Sequence, residues 1–350
     1  MKKYLGFLVV SFLCWQCKQP ATIVYEGAIL TDNKVHLTPS VLNDSFLFSW
    51  PKDLIICDSL LVLHDSYQQD NCFHIFRKSD GSFIKSFGKK GRGPGELNEI
   101  RSVNVNDNGE LCVYDLGYRK VVLFDIGEIL TDEKSVPKEY EVTGAPNNIM
   151  QAIPFTDHFI VKGNDDLLRY AVWNPQEEKY SLIYTEYPRF STDDEDNWSL
   201  SNYNARFRAS PDRKMFAATT YIGGALEVYE VEEGNIRRKA ARFFFEPHYD
   251  YARGAIPKWV TLSSESVVGF EDLYFAKDAI YGLIWGVNVE KEKNARPKLI
   301  DFDFEGNPLH AYIVAETLSC IAVDRDGTLF GVGCDSVGNY KLSRYVQTCG

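Results

Sequence analysis

The chain has 350 residues, a formal net charge of −11, and 45% hydrophobic and 14% aromatic residues. That length holds one large domain or two with a sizeable core, and the acidic balance repels polyanions, so no nucleic acid is expected as a partner. No run approaches the roughly 18 apolar residues a membrane-spanning helix needs.

The N-terminal stretch MKKYLGFLVVSFLCWQCKQP reads as an export signal, with Lys2 and Lys3 as the positive region and Leu5 to Leu13 as a short apolar region. Cys17 followed by Lys18 resembles the lipobox of bacterial lipoproteins, although Cys14 and Gln16 stand where small residues are usual. The expectation is a signal at residues 1–16 that is removed, lipidation of Cys17, and a mature chain of residues 17–350 anchored to the cell envelope by lipid alone. A plain signal peptide cut nearby is the alternative. Loss of Lys2 and Lys3 takes the net charge two units lower, to −13. Of the remaining cysteines, Cys57, Cys72, Cys112, Cys320, Cys334 and Cys349, none forms a CxxC, which disfavours zinc. An oxidising compartment would permit disulfides, but four of the six sit in apolar strand-like runs and read as small buried hydrophobes.

From there the chain is a succession of β-branched and aromatic runs punctuated by Asp-Gly, Asn-Gly and Glu-Gly pairs, which describes strands and hairpins. One hairpin type, SVNVNDNGELCVYD (Ser102 to Asp115), returns as CIAVDRDGTLFGVG (Cys320 to Gly333), with Gly109 and Gly327 in the turns. A second, IFRKSDGSFIKSFG, returns as LIDFDFEGNPLHAY and as VYEVEEGNIRRKAARF, with Gly81, Gly306 and Gly234 in the turns. The second strand of each first-type hairpin is marked by Leu61, Leu111, Phe159, Met215, Ile280 and Leu329, at steps of 50, 48, 56, 65 and 49 residues. A repeat near 50 residues that holds four strands and no helical period predicts an all-β, six-bladed β-propeller of four-stranded antiparallel blades. The expected blades run Asp53 to Gly88, Ile100 to Val142, Asn148 to Tyr187, Asn204 to Phe245, Val267 to Val314, and Leu318 to Val346. A ring must pair its last edge, and the N-terminal run ATIVYEGAIL is the expected closing strand. PRFSTDDEDNWSLSNY and EPHYDYARGAIPKWVTLSSES exceed the repeat and read as loops or insertions.

GKKGRGPGEL, between the first two blades, raises the question of a phosphate cradle. Lys90 is followed by Gly91 instead of Ser or Thr, Pro94 interrupts the run, and a strand follows where a phosphate loop would open a helix. The stretch therefore reads as a long inter-blade connection whose structural residues are Gly88, Gly91, Gly93, Pro94, Gly95 and Glu96. With Phe87, and preceded by the hairpin around Gly81 and the lipoprotein-like start, these residues resemble the TolB-like six-bladed propeller lipoproteins of Bacteroides-type bacteria, whose shape is that of the NHL repeats. The blade pattern of the resemblance extends over most of the mature chain, and later blades carry no second GPGE. It implies a cell-envelope lipoprotein in a group whose members mostly lack an assigned activity.

No catalytic or metal motif stands out. GxSxG is absent, and GCDSVG has the wrong spacing. The six histidines form no HxH or HExxH. NDNG and DRDG are hairpin turns, not calcium loops, and the acidic cluster from Asp193 to Asp196 reads as solvated loop. A ring fold brings the entrances of its innermost strands to one mouth. The candidates there are Arg101, Asn148, Asn204, Arg206 and Glu271, with Tyr118, Tyr203 and Trp285 as flat faces for stacking. The expectation is a monomeric, non-catalytic binding or scaffold propeller for a carbohydrate, peptide or protein, with no catalytic residue, no metal and no assignable cofactor. A propeller enzyme of lactonase, lyase or glycosidase type, with residues drawn from separate blades, is one alternative. An envelope assembly module resembling the propeller of TolB is the other.

Overall fold

A computed structural model describes residues 25–67, 70–131, 135–143, 149–165, 168–187, 205–232, 235–251 and 260–347. Strand β1 (Lys34–Asn43) precedes blade 1, which is built from β2 (Pro51–Cys57), β3 (Leu60–Asp65), β4 (Asn71–Arg77) and β5 (Phe83–Lys89). Blade 2 holds β6 (Ile100–Val105), β7 (Leu111–Asp115), β8 (Lys120–Phe124) and β9 (Lys138–Glu141). Blade 3 holds β10 (Gln151–Phe155), β11 (His158–Asp165), β12 (Leu168–Asn174) and β13 (Lys179–Tyr184). Blade 4 follows with β14 (Ala205–Ala209), β15 (Met215–Thr220), β16 (Ala225–Glu232) and β17 (Asn235–Phe243). A two-stranded ribbon, β18 (Tyr249–Tyr251) and β19 (Val260–Leu262), lies in the second expected insertion. Blade 5 comprises β20 (Val267–Phe275), β21 (Ile280–Asn288), β22 (Lys298–Phe302) and β23 (Pro308–Ile313), and blade 6 comprises β24 (Thr317–Val323), β25 (Leu329–Cys334) and β26 (Tyr340–Gln347). The one α-helix among the described residues, α1 (Ile126–Thr131), is a short insertion in blade 2 whose Ile126 and Ile129 are buried. No described helix is long and apolar enough to cross a membrane.

The core lies between blades, and this shows that the ring is closed. Consecutive residues of a strand face opposite sides, and here both sides are buried. Leu61 and Leu63 pack with Cys320, Phe330 and Val332 of blade 6, while Val62 between them packs with Val103 and Val113 of blade 2. Further clusters join blade 2 to blade 3, 3 to 4, 4 to 5 and 5 to 6. Each fully buried Leu or Phe in these layers contributes roughly 1.5–3 kcal/mol relative to exposure. This explains why the strands read as near-continuous apolar runs.

Blade 6 has three C-terminal strands, and its fourth comes from the N-terminus, as expected, but from a different segment. β1 runs antiparallel to β26 from Leu37↔Gln347 to Asn43↔Leu342, and Lys34–His36 pair in parallel with β23 of blade 5. Of the expected closing run, ATIVYEGAIL, residues 21–24 lie outside the described residues and the rest does not do this: Tyr25 bridges Phe243 of blade 4. The physical reason is that an outermost strand has one wet face. KVHLTPSVLN alternates between exposed and partly buried positions, and its Pro39 is tolerated because that stretch has no partner on its outer side. Asn43 Nδ2 then donates to Gly81 O of blade 1 at 2.8 Å, which fastens the closing strand to the first blade.

Cys57, Cys72, Cys112 and Cys320 are buried free thiols, as their strand context predicts, and Cys334 is a partly exposed one.

Candidate functional site

The axis is filled by charged side chains. β14 places Arg206 and Arg208 on the same side, two residues apart, and both reach Asp53 Oδ1 of blade 1, at 3.1 and 2.8 Å. Arg208 also donates to Val103 O of blade 2 (2.8 Å) and Leu273 O of blade 5 (3.2 Å), and Arg206 donates to Glu271 O (3.0 Å). Asp272 of blade 5 lies 3.9–4.0 Å from both guanidinium groups and accepts from Ile321 N of blade 6. Burial works against ionisation of Asp53, but Arg206, the hydrogen bond with His64 and Arg208 outweigh it and hold its carboxyl well below the usual range. For Asp272 burial prevails over the same two cations and pushes the carboxyl up to about 6. This cluster ties five blades together at the position where a ring could otherwise leave a channel.

Beside it lies an open cleft of about 350 Å³, between blades 1 and 2 on the face where the inner strands begin. Trp50 and Tyr67 stand at its rim with ring centroids 5.7 Å apart and planes at 73°; they are 54% and 70% exposed, which leaves aromatic surface free for a ligand. Lys52, Lys90 and Arg101 supply positive charge, Glu99 the one lining carboxylate, and His64 a buried imidazole. His64 Nδ1 is 2.8 Å from Asp53 Oδ2, so the cleft and the axial cluster share a residue. Burial, with Arg206 and Arg101 nearby, lowers the Lys52 amine from its ordinary value, although Asp53 and Glu271 oppose the shift.

A repeated device builds the cleft walls. Asp65, last residue of β3, accepts Ser49 N and Trp50 N at 2.6 and 2.7 Å. Asp115, last residue of β7, accepts Asn98 N and Glu99 N at 2.6 and 3.0 Å. Each buried carboxylate thus clasps the connection that enters its own blade, which fixes Trp50 on one side and Glu99 on the other.

The glycine-rich connection supplies Lys90 to the cleft and is filled from within by a side chain of its own. Glu96 turns its carboxylate back into the loop and accepts Gly93 N at 2.7 Å. A side chain at Gly91 would collide with that carboxylate, and one at Gly95 (φ +73°) would meet Pro137 at 2.6 Å. The loop therefore encloses its own anion where a phosphate loop would leave a vacancy. Gly95 N donates to Glu139 Oε1 (2.6 Å), which also receives Lys120 Nζ (2.7 Å).

Of the residues the sequence nominates, Arg206, Glu271 and Trp285 come together: Trp285 Nε1 donates to Glu271 Oε2 at 3.1 Å. Arg206 is committed to the axial cluster. Arg101 lines the cleft and pairs with Glu99. Tyr118 sits in the β7–β8 turn of blade 2 with Lys120 Nζ 5.6 Å from its ring centre, and it does not line the cleft. Asn148, Tyr203, Asn204, Cys17 and the cluster from Asp193 to Asp196 lie outside the described residues. Sequence reasoning missed Trp50, Lys52, Asp53, His64 and Lys90. The available signal was charged or polar residues, Lys52, Asp53 and His64, inside the otherwise apolar runs of β2 and β3, and an aromatic residue immediately before a strand that opens with proline. Among the described residues no three His, Cys, Asp or Glu side chains are placed to hold a metal ion.

A family model described as TolB-like 6-blade propeller-like matches residues 31–326. No curated protein matches the sequence. Among solved structures, a Bacteroides fragilis protein described as exported is 13% identical, with a TM-score of 0.54 over 91% of this chain and 99% of its own. A member of the DUF4221 family from Bacteroides vulgatus is 10% identical, with a TM-score of 0.57 over 91% of this chain and all of its own. At these identities the likeness concerns the fold alone.

Proposed function

The chain belongs to the TolB-like six-bladed propeller family, and from that membership we propose that it is a cell-envelope binding protein that takes its ligand in the cleft between blades 1 and 2. The observation that carries this reading is the contrast between an axis closed by Asp53, Arg206, Arg208 and Asp272 and an adjacent cleft that leaves Trp50, Tyr67 and Lys52 open to a ligand. A recessed site with a few polar groups and exposed aromatic rings suits a carbohydrate or a peptide side chain better than a broad flat contact. Export is supported by the N-terminal signal and by the description of the Bacteroides fragilis neighbour. In this reading residues 1–16 are removed and Cys17 carries lipid, so the propeller is a monomer tethered to a membrane it does not enter.

The test is a glycan and peptide binding screen with the wild type and with Trp50→Ala/Tyr67→Ala. A ligand whose binding is lost in the double variant supports the cleft. Binding indifferent to both substitutions, or turnover of a ligand, removes the reading.

A hydrolytic second reading has one specific observation behind it, the buried Asp53–His64 pair at the cleft, since a carboxylate orienting an imidazole is how a general base is held. Against it, Asp53 also accepts from two guanidinium groups, so its carboxylate does not serve His64 alone. Lactone hydrolysis by the wild type and its loss in His64→Ala would favour this reading.

A further inference from the structure

We infer that the ligand of this cleft is a sugar acid, with its carboxylate on Arg101 and Lys52 and its hydroxylated ring against Trp50 and Tyr67. This inference rests on the binding reading above and narrows it. The protein carries a net charge of −11, yet three cations converge on the cleft beside a single carboxylate. Arg101 Nη2 is paired with Glu99, while Arg101 Nε is buried without a hydrogen-bond partner. Nε and Nη2 form one edge of the guanidinium fork, the edge that matches the two oxygens of a carboxylate. Glu99 engages only half of it, so an incoming carboxylate that displaces Glu99 would satisfy both donors.

Lys52 points the same way. Its amine lies in a partly buried position near Arg101 and Arg206, and neighbouring carboxylates do not offset this cost. A bound anion would supply the missing charge, and a neutral sugar would leave it uncompensated. The rest of the lining indicates what the anion is attached to. Ser66, Asn98 and His64 add polar groups suited to hydroxyls, and the two rim rings offer apolar faces that an inorganic anion cannot use. A volume of about 350 Å³ lies at the small end of ligand sites, which run from about 300 to 1,000 Å³, and so calls for one or two sugar rings.

The experiment is calorimetric titration of the purified protein with D-galacturonate and its trimer, beside D-galactose, benzoate and inorganic phosphate. The expected result is uronate binding, with galactose at least tenfold weaker. Loss of the charged contact in Arg101→Ala should weaken the uronate by about ten- to a hundredfold, Arg101→Lys should restore part of it, and Glu99→Gln should tighten it by removing the competing carboxylate. Arg101→Gln, with an unchanged melting temperature, serves if the alanine variant does not fold. Uronate binding no tighter than that of galactose, benzoate or phosphate, or unchanged in the Arg101 variants, overturns the inference. If another ligand binds and is lost in Trp50→Ala/Tyr67→Ala, the cleft reading survives and only the acid is wrong; binding unaffected by every one of these substitutions removes the cleft itself.

Discussion

Arg208 of blade 4 and Asp53 of blade 1 are 155 residues apart in the chain and meet at 2.8 Å on the propeller axis, where both are buried. Asp53 also holds Arg206, so removing its carboxylate leaves two largely buried guanidinium groups without their shared anion. Loss of one partner of a buried pair costs roughly 3–5 kcal/mol, and Asp53→Ala should lower the urea midpoint accordingly. The double variant Asp53→Ala/Arg208→Met should be destabilised by less than the sum of the single changes, because the second substitution removes a charge the first left unpaired. Additive effects would mean that the pair is not coupled.

The two axial carboxylates should give opposite pH dependences. Asp272 is raised from 3.8 to about 6, so between those values the folded protein holds a proton that the unfolded chain has released. Its contribution to stability is present below about pH 4 and is lost as pH rises through 6. Asp53 is depressed, so its contribution is present above about pH 4 and is lost as the pH falls towards its lower native pKa. Thermal unfolding from pH 3 to 7 should show Asp272→Asn removing a decline, on the order of 2–3 kcal/mol, between pH 4 and 7. Asp53→Asn should instead flatten the acid limb. A decline that persists in Asp272→Asn would assign it to another group.

The inter-blade glycines make a local prediction. Because the Glu96 carboxylate fills the loop and accepts Gly93 N, Glu96→Ala leaves that donor unsatisfied at a cost of about 1–3 kcal/mol. Gly91→Ala should cost a similar amount, since its side chain would press on the same carboxylate. If the collision with Glu96 is what Gly91 avoids, Gly91→Ala should be milder in the Glu96→Ala background than alone, which a double-mutant cycle of melting temperatures can read.

The fold was legible because it repeats, and the site was not because it does not. Leu61 and Leu111, 50 residues apart, occupy equivalent positions in β3 and β7, and the strand expected from Ile100 begins there. The turns at Gly109 and Gly327 have the positive φ that the sequence asks of them. The closing strand was misplaced because an outer strand is only half buried and carries a weaker apolar pattern than the run before it. The axial cluster joins charged residues across blades, so the meeting of Asp53 with Arg208 leaves no linear spacing to read. Trp50 and Tyr67 meet only because the clasp of Asp65 draws the entering chain over the end of β3.

Lys162 is the clearest case of a side chain placed at a cost. It lies on β11 opposite Gln151 and is 3% exposed, and the Oε1 of Gln151 and the hydroxyl of Tyr170, both neighbours by strand pairing, are buried without partners. Burial, and then the charge of Arg169, lower the amine to about 7. Between pH 7 and the ordinary value of 10.5 the unfolded chain binds the proton that the folded protein has given up, so stability should rise with pH across that window. Lys162→Met keeps the length of the side chain and removes the titration. It should be more stable than the wild type at pH 7 by about 1–3 kcal/mol, with the difference shrinking by pH 9.5. Urea unfolding at the two pH values measures both. A variant that is less stable at pH 7, with the rise intact, would show that the amine stays charged and is compensated in the fold.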